Sequence, residues 1–206
     1  MDVLFTIFEL VGTVSFAVSG AMEAIRHRMD LFGVMMLGVI TATGGGILRD
    51  IVIGQTPPRV FQDPTWAIVA MLVAVVVFIV LRCSRAGEIH FAKTREAMYI
   101  LADTAGLAAF TVLGIESAGS GNAALLLFVG MITGVGGGVL RDVLAGTVPS
   151  IFRKHIYALA SLAGAITDIL LMRILSEEAA MLAGCAVVIL IRFLAIRFNW
   201  NLPRVD

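Results

Sequence analysis

The stretch GGGILRDIVIG at residues 44–54 returns as GGGVLRDVLAG at residues 136–146. The similarity continues on both sides of this motif. Upstream, an acid, two glycines and a phenylalanine recur in the same order: Glu9, Gly12, Phe16 and Gly20, then Asp103, Gly106, Phe110 and Gly114. Downstream, Pro57 and Phe61 recur as Pro149 and Phe152 with one residue deleted. A match of this length indicates an internal duplication.

Each copy of the motif lies at the end of an apolar run that is long enough to cross a membrane. A hydrocarbon layer of about 30 Å requires about 20 helical residues. Seven runs are of roughly this length: 3–25, 31–54, 65–83, 97–115, 122–145, 155–175 and 179–198. The chain of 206 residues is 59% hydrophobic and 15% charged, with a mean hydropathy of +0.98, which excludes an ordinary soluble domain.

Backbone hydrogen bonds in lipid must close within each segment, so the sequence predicts an all-α membrane protein with a single transmembrane domain over residues 1–206. Repeat one occupies residues 3–83 and repeat two occupies residues 97–175, with three spans in each. Because three is odd, the second repeat enters the membrane from the opposite side. The prediction is therefore an inverted repeat, with a seventh helix at 179–198 outside it.

The distribution of lysine and arginine predicts the orientation. The loops after the first, third and fifth spans and the carboxyl tail hold most of them: Arg26, Arg28, Arg82, Arg85, Lys93, Arg95, Arg153, Lys154, Arg197 and Arg204. The opposite loops hold little beyond Arg59 and Arg173. The positive-inside rule then places the amino terminus outside and the carboxyl terminus in the cytoplasm of a cell with a plasma, or inner, membrane. Tyr99, Tyr157 and Trp200 are expected as aromatic anchors at the inner interface, and Trp66 at the outer one.

Three consecutive glycines inside a helix are unfavourable, since each costs about 1 kcal/mol relative to alanine in an exposed helix. We therefore expect Gly44, Gly45 and Gly46 to kink or unwind the second span, and Gly136, Gly137 and Gly138 to do the same in the fifth. Close packing between helices explains the same glycines equally well, because they continue ridges of small residues spaced four apart. The sequence leaves both explanations open.

Charged residues follow each glycine run by one helical turn. Arg49 and Asp50 follow the first run, and Arg141 and Asp142 follow the second. An ionisable group within a membrane costs about 2.5–3.5 kcal/mol on insertion scales, so such residues indicate a functional site by default. An internal salt bridge that locks helices together is the structural alternative.

The predicted topology groups these charges by depth. Glu9 joins Arg49 and Asp50 toward the outside, and Asp103 joins Arg141 and Asp142 toward the inside. Each trio contains two acids and one base, so ionised trios would favour cations at both mouths. Asp168, in the sixth span after Thr167, is expected either to add a polar point to the ion pathway or to bond a neighbouring hydroxyl group.

Several other classes of function are excluded. The 15 basic residues balance the 15 acidic residues, so no excess of charge recruits nucleic acid. Cys83 and Cys185 have no metal-ligand spacing, and no nucleophile with a histidine or acid partner is recognisable. The glycine runs lack the preceding strand that a phosphate-binding loop requires. We therefore predict neither an enzyme nor a cofactor or metal site.

The duplicated GGGxxRD motif, on the second spans of two three-helix units, resembles the prokaryotic branch of the trimeric intracellular cation (TRIC) channel family. This family is also described as a glycine-transporter-like membrane domain. The resemblance covers nearly the whole chain. It implies a homotrimer in membrane lipid, with a pore in each protomer that conducts monovalent cations, chiefly K⁺. It also implies that the kinked second and fifth spans line this pore, with the two glycine runs as kinks and the Arg-Asp pairs as its charges.

Two other functions remain open at this stage. A secondary transporter for glycine or a similar small zwitterion could use an arginine for the carboxylate and an acid for the ammonium group, and inverted repeats suit alternating access. A membrane scaffold, in which the glycines only pack and the charges only bridge, predicts no transport of either kind.

Overall fold

The computed structural model describes residues 3–83, 88–119, 121–153 and 156–200, apart from the side chains of residues 88–93 and 153. Every regular element in these ranges is a helix, which confirms the all-α fold class. The elements are α1 (Val3–Arg26), α2 (Leu31–Val52), α3 (Arg59–Gln62), α4 (Thr65–Cys83), α5 (Glu88–Ala118), α6 (Ala123–Leu144), α7 (Ser150–Arg153), α8 (Tyr157–Leu171) and α9 (Glu177–Arg197).

The seven predicted spans correspond to the seven long helices, with shifted ends. Within the described residues, six of these helices are long and apolar enough to cross a membrane, including Thr94–Ala118 of α5. α8 has only 15 residues, or about 22 Å, because residues 172–175 form a turn. Hydropathy predicted a helix to residue 175, since an apolar turn and an apolar helix have the same composition. α5 begins at Glu88 rather than residue 97, because its first turns carry charges that end an apolar run without ending a helix.

Equivalent residues begin and end α2 and α6. The side chain of Asp30 accepts a hydrogen bond from the backbone N–H of Gly33 at 2.8 Å, and that of Asn122 accepts one from Leu125 at 2.8 Å. These caps satisfy backbone donors that have no partner within the helix. Just beyond the other ends, Gly54 and Gly146 adopt φ angles of +75° and +72°, which favour glycine. The duplication therefore extends to the signals that fix both helix ends.

The second glycine of each glycine run, Gly45 in α2 and Gly137 in α6, lets the two helices cross at a very short distance. Gly45 faces the backbone carbonyl of Thr133, and Gly137 faces that of Thr41. A Cβ atom at either glycine would overlap that carbonyl oxygen. Both helices remain α-helical through their glycine runs, so the predicted unwinding is wrong. The close contact compensates for low helix propensity, and lipid penalises broken backbone hydrogen bonds. A bend of either helix axis stays a prediction.

The first helices of the two repeats, α1 and α5, contact each other reciprocally. Phe110 of α5 packs against Gly12 of α1, and Phe16 of α1 packs against Gly106 of α5. The two rings meet edge to face, with centroids 5.3 Å apart. The same contact made twice with the partners exchanged is what a pseudo-twofold axis between the repeats produces.

α4 and α9 complete the bundle in different ways. In α4 only Ala70 and Ala74 are buried, so most of this apolar helix faces outward, as expected for a surface in lipid. α9 packs on α8 and α5 and crosses α8 closely where Gly164 meets Gly184. This packing brings Arg192 of α9 into the protein interior. The side chains of Arg85, Lys93, Arg153, Lys154 and Arg204, on which the predicted orientation partly rests, lie outside the described residues.

Candidate functional site

The two Arg-Asp pairs form the same local structure at opposite ends of the crossing helices. In α2, Nε of Arg49 donates to Oδ1 of Asp50 at 2.9 Å, and Nη2 lies 2.9 Å from the same oxygen. In α6, the corresponding distances from Arg141 to Oδ1 of Asp142 are 2.8 and 2.7 Å. Because two nitrogens of each guanidinium group meet one carboxylate oxygen, each arginine is held against its neighbour in the chain.

The second oxygen of each aspartate holds the loop that follows. Oδ2 of Asp50 accepts a hydrogen bond, 2.8 Å long, from the backbone N–H of Arg59, the first residue of α3. Oδ2 of Asp142 accepts one from Ser150 at 2.6 Å, the first residue of α7. Each aspartate therefore pins a short helix to the end of its long helix. The sequence analysis did not find these short helices, although a proline directly precedes each one and was the available signal.

Each arginine also reaches across to the other repeat. Nη1 of Arg49 donates to Oγ of Ser117 in α5 at 3.0 Å. Nη1 of Arg141 donates to Oγ of Ser19 in α1 and to Oδ1 of Asp103 in α5, the latter at 2.6 Å. Both arginines are thus bound to their own loop and to the opposite repeat at once. Any separation of the repeats at these ends must break these bonds.

Three more side chains, one basic and two aromatic, close the Arg141 end. Arg192 of α9 lies 3.8 Å from Oδ2 of Asp103, and its guanidinium group lies 4.9 Å from the ring centre of Tyr157. The hydroxyl of Tyr157 donates to Asp103 at 3.3 Å. The ring of Tyr99 covers Arg141 at 5.1 Å. As a result, Arg141 is 0% exposed, and this end of the bundle is sealed.

Arg192 also changes the charge of this end. The trio of Asp103, Arg141 and Asp142 has one more acid than base, and the guanidinium group of Arg192 cancels the excess. The sealed end is therefore formally neutral, whereas the sequence analysis counted an acidic trio at both mouths.

The Arg49 end is more open and retains its negative charge. Glu9 is only partly buried, and its carboxyl group hydrogen bonds to Trp66 and interacts with Arg49, Arg59 and Asp63. Asp63, in the loop before α4, accepts hydrogen bonds from the backbone N–H and the hydroxyl of Thr65, which lower the pKa of its carboxyl group. It is therefore ionised near neutral pH. The acids at this end, Glu9, Asp50 and Asp63, outnumber the arginines, Arg49 and Arg59, by one.

The structure brings most of the predicted site residues together. Glu9 interacts with Arg49, and Asp103 pairs with Arg141, as the predicted trios require. A Cβ placed at Gly46 or Gly138 would lie 3.7 or 3.6 Å from Nη2 of the arginine one turn later. The other glycines pack against the opposite helix: Gly44 on Leu140, Gly136 on Leu48, and Gly45 and Gly137 at the crossing. Asp168 lies among α5, α8 and α9, and none of its described interactions involves either arginine cluster.

Four residues of this site were not predicted as such: Tyr99, Ser117, Tyr157 and Arg192. The signal for Arg192 was a single basic residue in the middle of an apolar span. Tyr99 and Tyr157 were expected at the lipid interface, and this expectation is wrong. They are 6% and 2% exposed, because arginines inside the protein bind the faces of their rings. Hydropathy cannot distinguish this environment from a membrane interface.

Similar proteins share the full length of this fold. A family model described as "Glycine transporter" matches residues 6–82 and 100–173, which are the two repeats. The UPF0126 inner membrane protein YadS of Escherichia coli K12 is 40% identical over 95% of this chain and 93% of its own length. A UPF0126 membrane protein of Deinococcus radiodurans is 39% identical, with 95% of this chain and 89% of the relative covered.

Solved structures of TRIC channels superpose on nearly the whole chain. The TRIC orthologue from Rhodobacter sphaeroides is 31% identical with a TM-score of 0.86, covering 97% of this chain and 100% of that one. Another structure, from work on conductance through TRIC cation channels, is 34% identical with a TM-score of 0.84, covering 98% and 97% of the two chains. Together with its membrane-spanning helices, these similarities show that the chain is a multi-pass membrane protein and belongs to the TRIC family.

Proposed function

We propose that this protein is a monovalent cation channel, chiefly for K⁺, and that its ion pathway follows the crossing of α2 and α6. Each protomer of a homotrimer in the inner membrane holds one such pathway, with the amino terminus outside. The observation that carries the proposal is the pair of Arg-Asp units at opposite ends of the crossing helices, each bound to the other repeat. The cation channels among the similar structures support the same function.

The Arg49 end is the cation-collecting mouth in this proposal. Its excess of one acid sits next to partly exposed side chains, where a negative potential raises the local concentration of cations. Glu9 contributes to this potential and, unlike Asp50, holds no loop in place. It is therefore the residue whose charge can be removed with the least structural consequence.

The Arg141 end is the barrier. Its formal charge is balanced, so no net negative charge attracts a K⁺ ion there, and its arginine is completely buried. Conduction requires Arg141 and Arg192 to release Asp103, which would then face the pathway as an acid. The described conformation is therefore closed at this end.

A carrier for glycine is the second candidate, because the matching family model is described as a glycine transporter. The site favours the channel over the carrier. A carrier needs an arginine free to bind the substrate carboxylate, whereas both guanidinium groups here are already bound to aspartate and serine. Substrate would have to displace these buried bonds.

The two functions separate in proteoliposomes loaded with KCl. We expect K⁺ flux in the absence of glycine and no saturable uptake of labelled glycine. Glu9→Gln should reduce the K⁺ flux at low salt and have little effect at 1 M salt, where the Debye length falls to about 3 Å. Asp30→Asn is the matched control. It removes one acid at the far end of α2 and keeps an oxygen that can cap Gly33, so its flux should equal that of the wild type.

The result that contradicts the channel is glycine uptake that saturates while K⁺ alone produces no flux. Equal loss of flux in Glu9→Gln and Asp30→Asn would contradict the assignment of the mouth, since it would show a general effect of surface charge.

A further inference from the structure

Asp168 is a buried carboxyl group that the proposed ion pathway does not use. It lies in α8 and is 0% exposed, and neither carboxyl oxygen has a hydrogen-bond partner among the described residues. An ionised carboxylate in that position would be strongly destabilised, because burial removes its hydration and no donor replaces the water. The neutral, protonated form avoids most of this cost.

Two other carboxyl groups, nearer the surface, interact electrostatically with each other and with Asp168. Glu116, in the last turn of α5, is partly buried, and its Oε1 atom also lacks a partner among the described residues. Its carboxyl group interacts with that of Glu177, an exposed residue in the first turn of α9. Two neighbouring carboxyl groups repel each other when both are ionised, so the pair favours a state in which one of them carries a proton. Burial thus increases in steps from Glu177 through Glu116 to Asp168.

Close helix packing fixes Asp168 between α8 and α9. A Cβ at Gly184 of α9 would lie 2.9 Å from Cβ of Asp168 and 3.2 Å from the side chain of Val112 in α5. One turn away, Gly164 packs against the backbone carbonyl of Gly184. The Cβ of Asp168 therefore lies within the close contact between α8 and α9.

Among the residues that the structure describes, no cation is recorded as interacting with Asp168. α5 contributes Glu116 and α9 contributes Glu177, both acidic. α6 packs on this part of α8 through apolar side chains, Leu126 and Leu127. Arg49 reaches only the neighbouring face of α5, where it binds Ser117, and its electrostatic partners are Asp50, Arg59 and Glu9. Among the described residues, no group of three acidic, histidine or cysteine side chains is arranged to hold a metal ion.

We propose that Asp168 is a proton-binding site, and that the Glu116–Glu177 pair exchanges its proton with solvent. The proton resides on one carboxyl oxygen of Asp168 near neutral pH. On release it passes to the glutamate pair and then to water, which leaves a negative charge between α8 and α9.

Infrared difference spectroscopy of the full-length protein tests this site without reference to ion transport. The carbonyl stretch of a protonated carboxyl group is separate from that of a carboxylate. We expect one protonated carboxyl band from Asp168 and another from the glutamate pair at neutral pH. Asp168→Asn should remove the first band, and Glu116→Gln should keep that band with slower exchange in D₂O. Glu178→Gln, an exposed neighbour of Glu177, is the matched control and should change neither the band nor its exchange.

Three results would overturn the proposal: absence of the Asp168 band at neutral pH, an Asp168→Asn spectrum equal to that of the wild type, or loss of every protonated carboxyl band in Glu116→Gln. A band that appears only when K⁺ is removed would do the same, because it would show that a metal cation occupies ionised carboxylates. If Asp168→Asn does not fold, wild-type protein with isotope-labelled aspartate makes the same assignment, since only an aspartate band then shifts.

Discussion

Replacing Gly45 with alanine should separate α2 from α6, whereas replacing Gly46 should not. A Cβ at Gly45 would overlap the carbonyl oxygen of Thr133, and a backbone carbonyl cannot turn aside as a side chain can. A Cβ at Gly46 has only the end of Arg49 near it, at 3.7 Å, which is ordinary van der Waals contact. The two neighbouring glycines therefore form a matched pair with the same gain in helix propensity.

The magnitudes follow from these contacts. Overpacking against a rigid group costs about 3 kcal/mol, at the upper end of the usual range. Alanine is more favourable than glycine in a helix by about 1 kcal/mol, which offsets part of this cost. Gly45→Ala should thus lose about 2 kcal/mol of stability, while Gly46→Ala should gain up to about 1 kcal/mol. The reciprocal contact of Gly137 with Thr41 predicts that Gly137→Ala behaves like Gly45→Ala.

The assay is the fraction of folded protein that survives heating in detergent, measured by size-exclusion chromatography, with K⁺ flux recorded on the same preparations. We expect Gly45→Ala and Gly137→Ala to lose stability, and Gly46→Ala to keep both stability and flux. Equal stability of all three variants would refute the packing argument. Loss of flux in Gly46→Ala without loss of stability would show that this glycine is needed as a hinge.

Three further predictions concern the arginine clusters. Arg192→Met leaves one acid in excess at the Arg141 end, so K⁺ flux should rise several-fold. Arg192→Lys keeps the positive charge, and its flux should stay near that of the wild type. Unchanged flux in Arg192→Met would contradict the assignment of this end as the barrier. Asp142→Asn removes one of the two carboxylate partners of a fully buried arginine and should cost about 1.5–3 kcal/mol in thermal unfolding. This cost should exceed that of Asp50→Asn at the more exposed end, and the reverse order would be inconsistent with the burial. Asp50→Ala removes the acceptor for the backbone N–H of Arg59, the first residue of α3. Loss of this hydrogen bond costs about 1 kcal/mol, so amide hydrogen exchange at Arg59 should be roughly fivefold faster. An unchanged rate would show that the bond does not hold the loop.

Sequence reasoning reached the fold and the two motif clusters because the signals for them are local or repeated. The apolar runs gave the long helices, and the repeated motif gave the inverted architecture. Pairing of Asp103 with Arg141 followed from aligning Glu9 with Asp103 across the repeats. When a residue is duplicated, a contact predicted for it in one repeat is also expected for the equivalent residue in the other repeat.

Sequence reasoning missed or misplaced features whose environment depends on tertiary packing. Arg192 lies in the unpaired helix α9, and its contact with Asp103 depends on the close crossing of α8 and α9, which no repeat predicts. Tyr157 was taken for a lipid anchor, because its ring is compatible with a membrane interface and with a buried arginine. The glycine runs were expected to break their helices, since propensity scales from water omit the packing that lipid-embedded helices gain.

The most direct test of the central claim is the reversal potential of the purified wild-type protein in a planar bilayer under a KCl gradient. We predict unitary currents whose reversal potential lies near the equilibrium potential of K⁺, with no organic substrate present. A reversal potential at the equilibrium potential of Cl⁻, or a bilayer without unitary currents while the same preparation accumulates glycine, would contradict a cation pathway along α2 and α6.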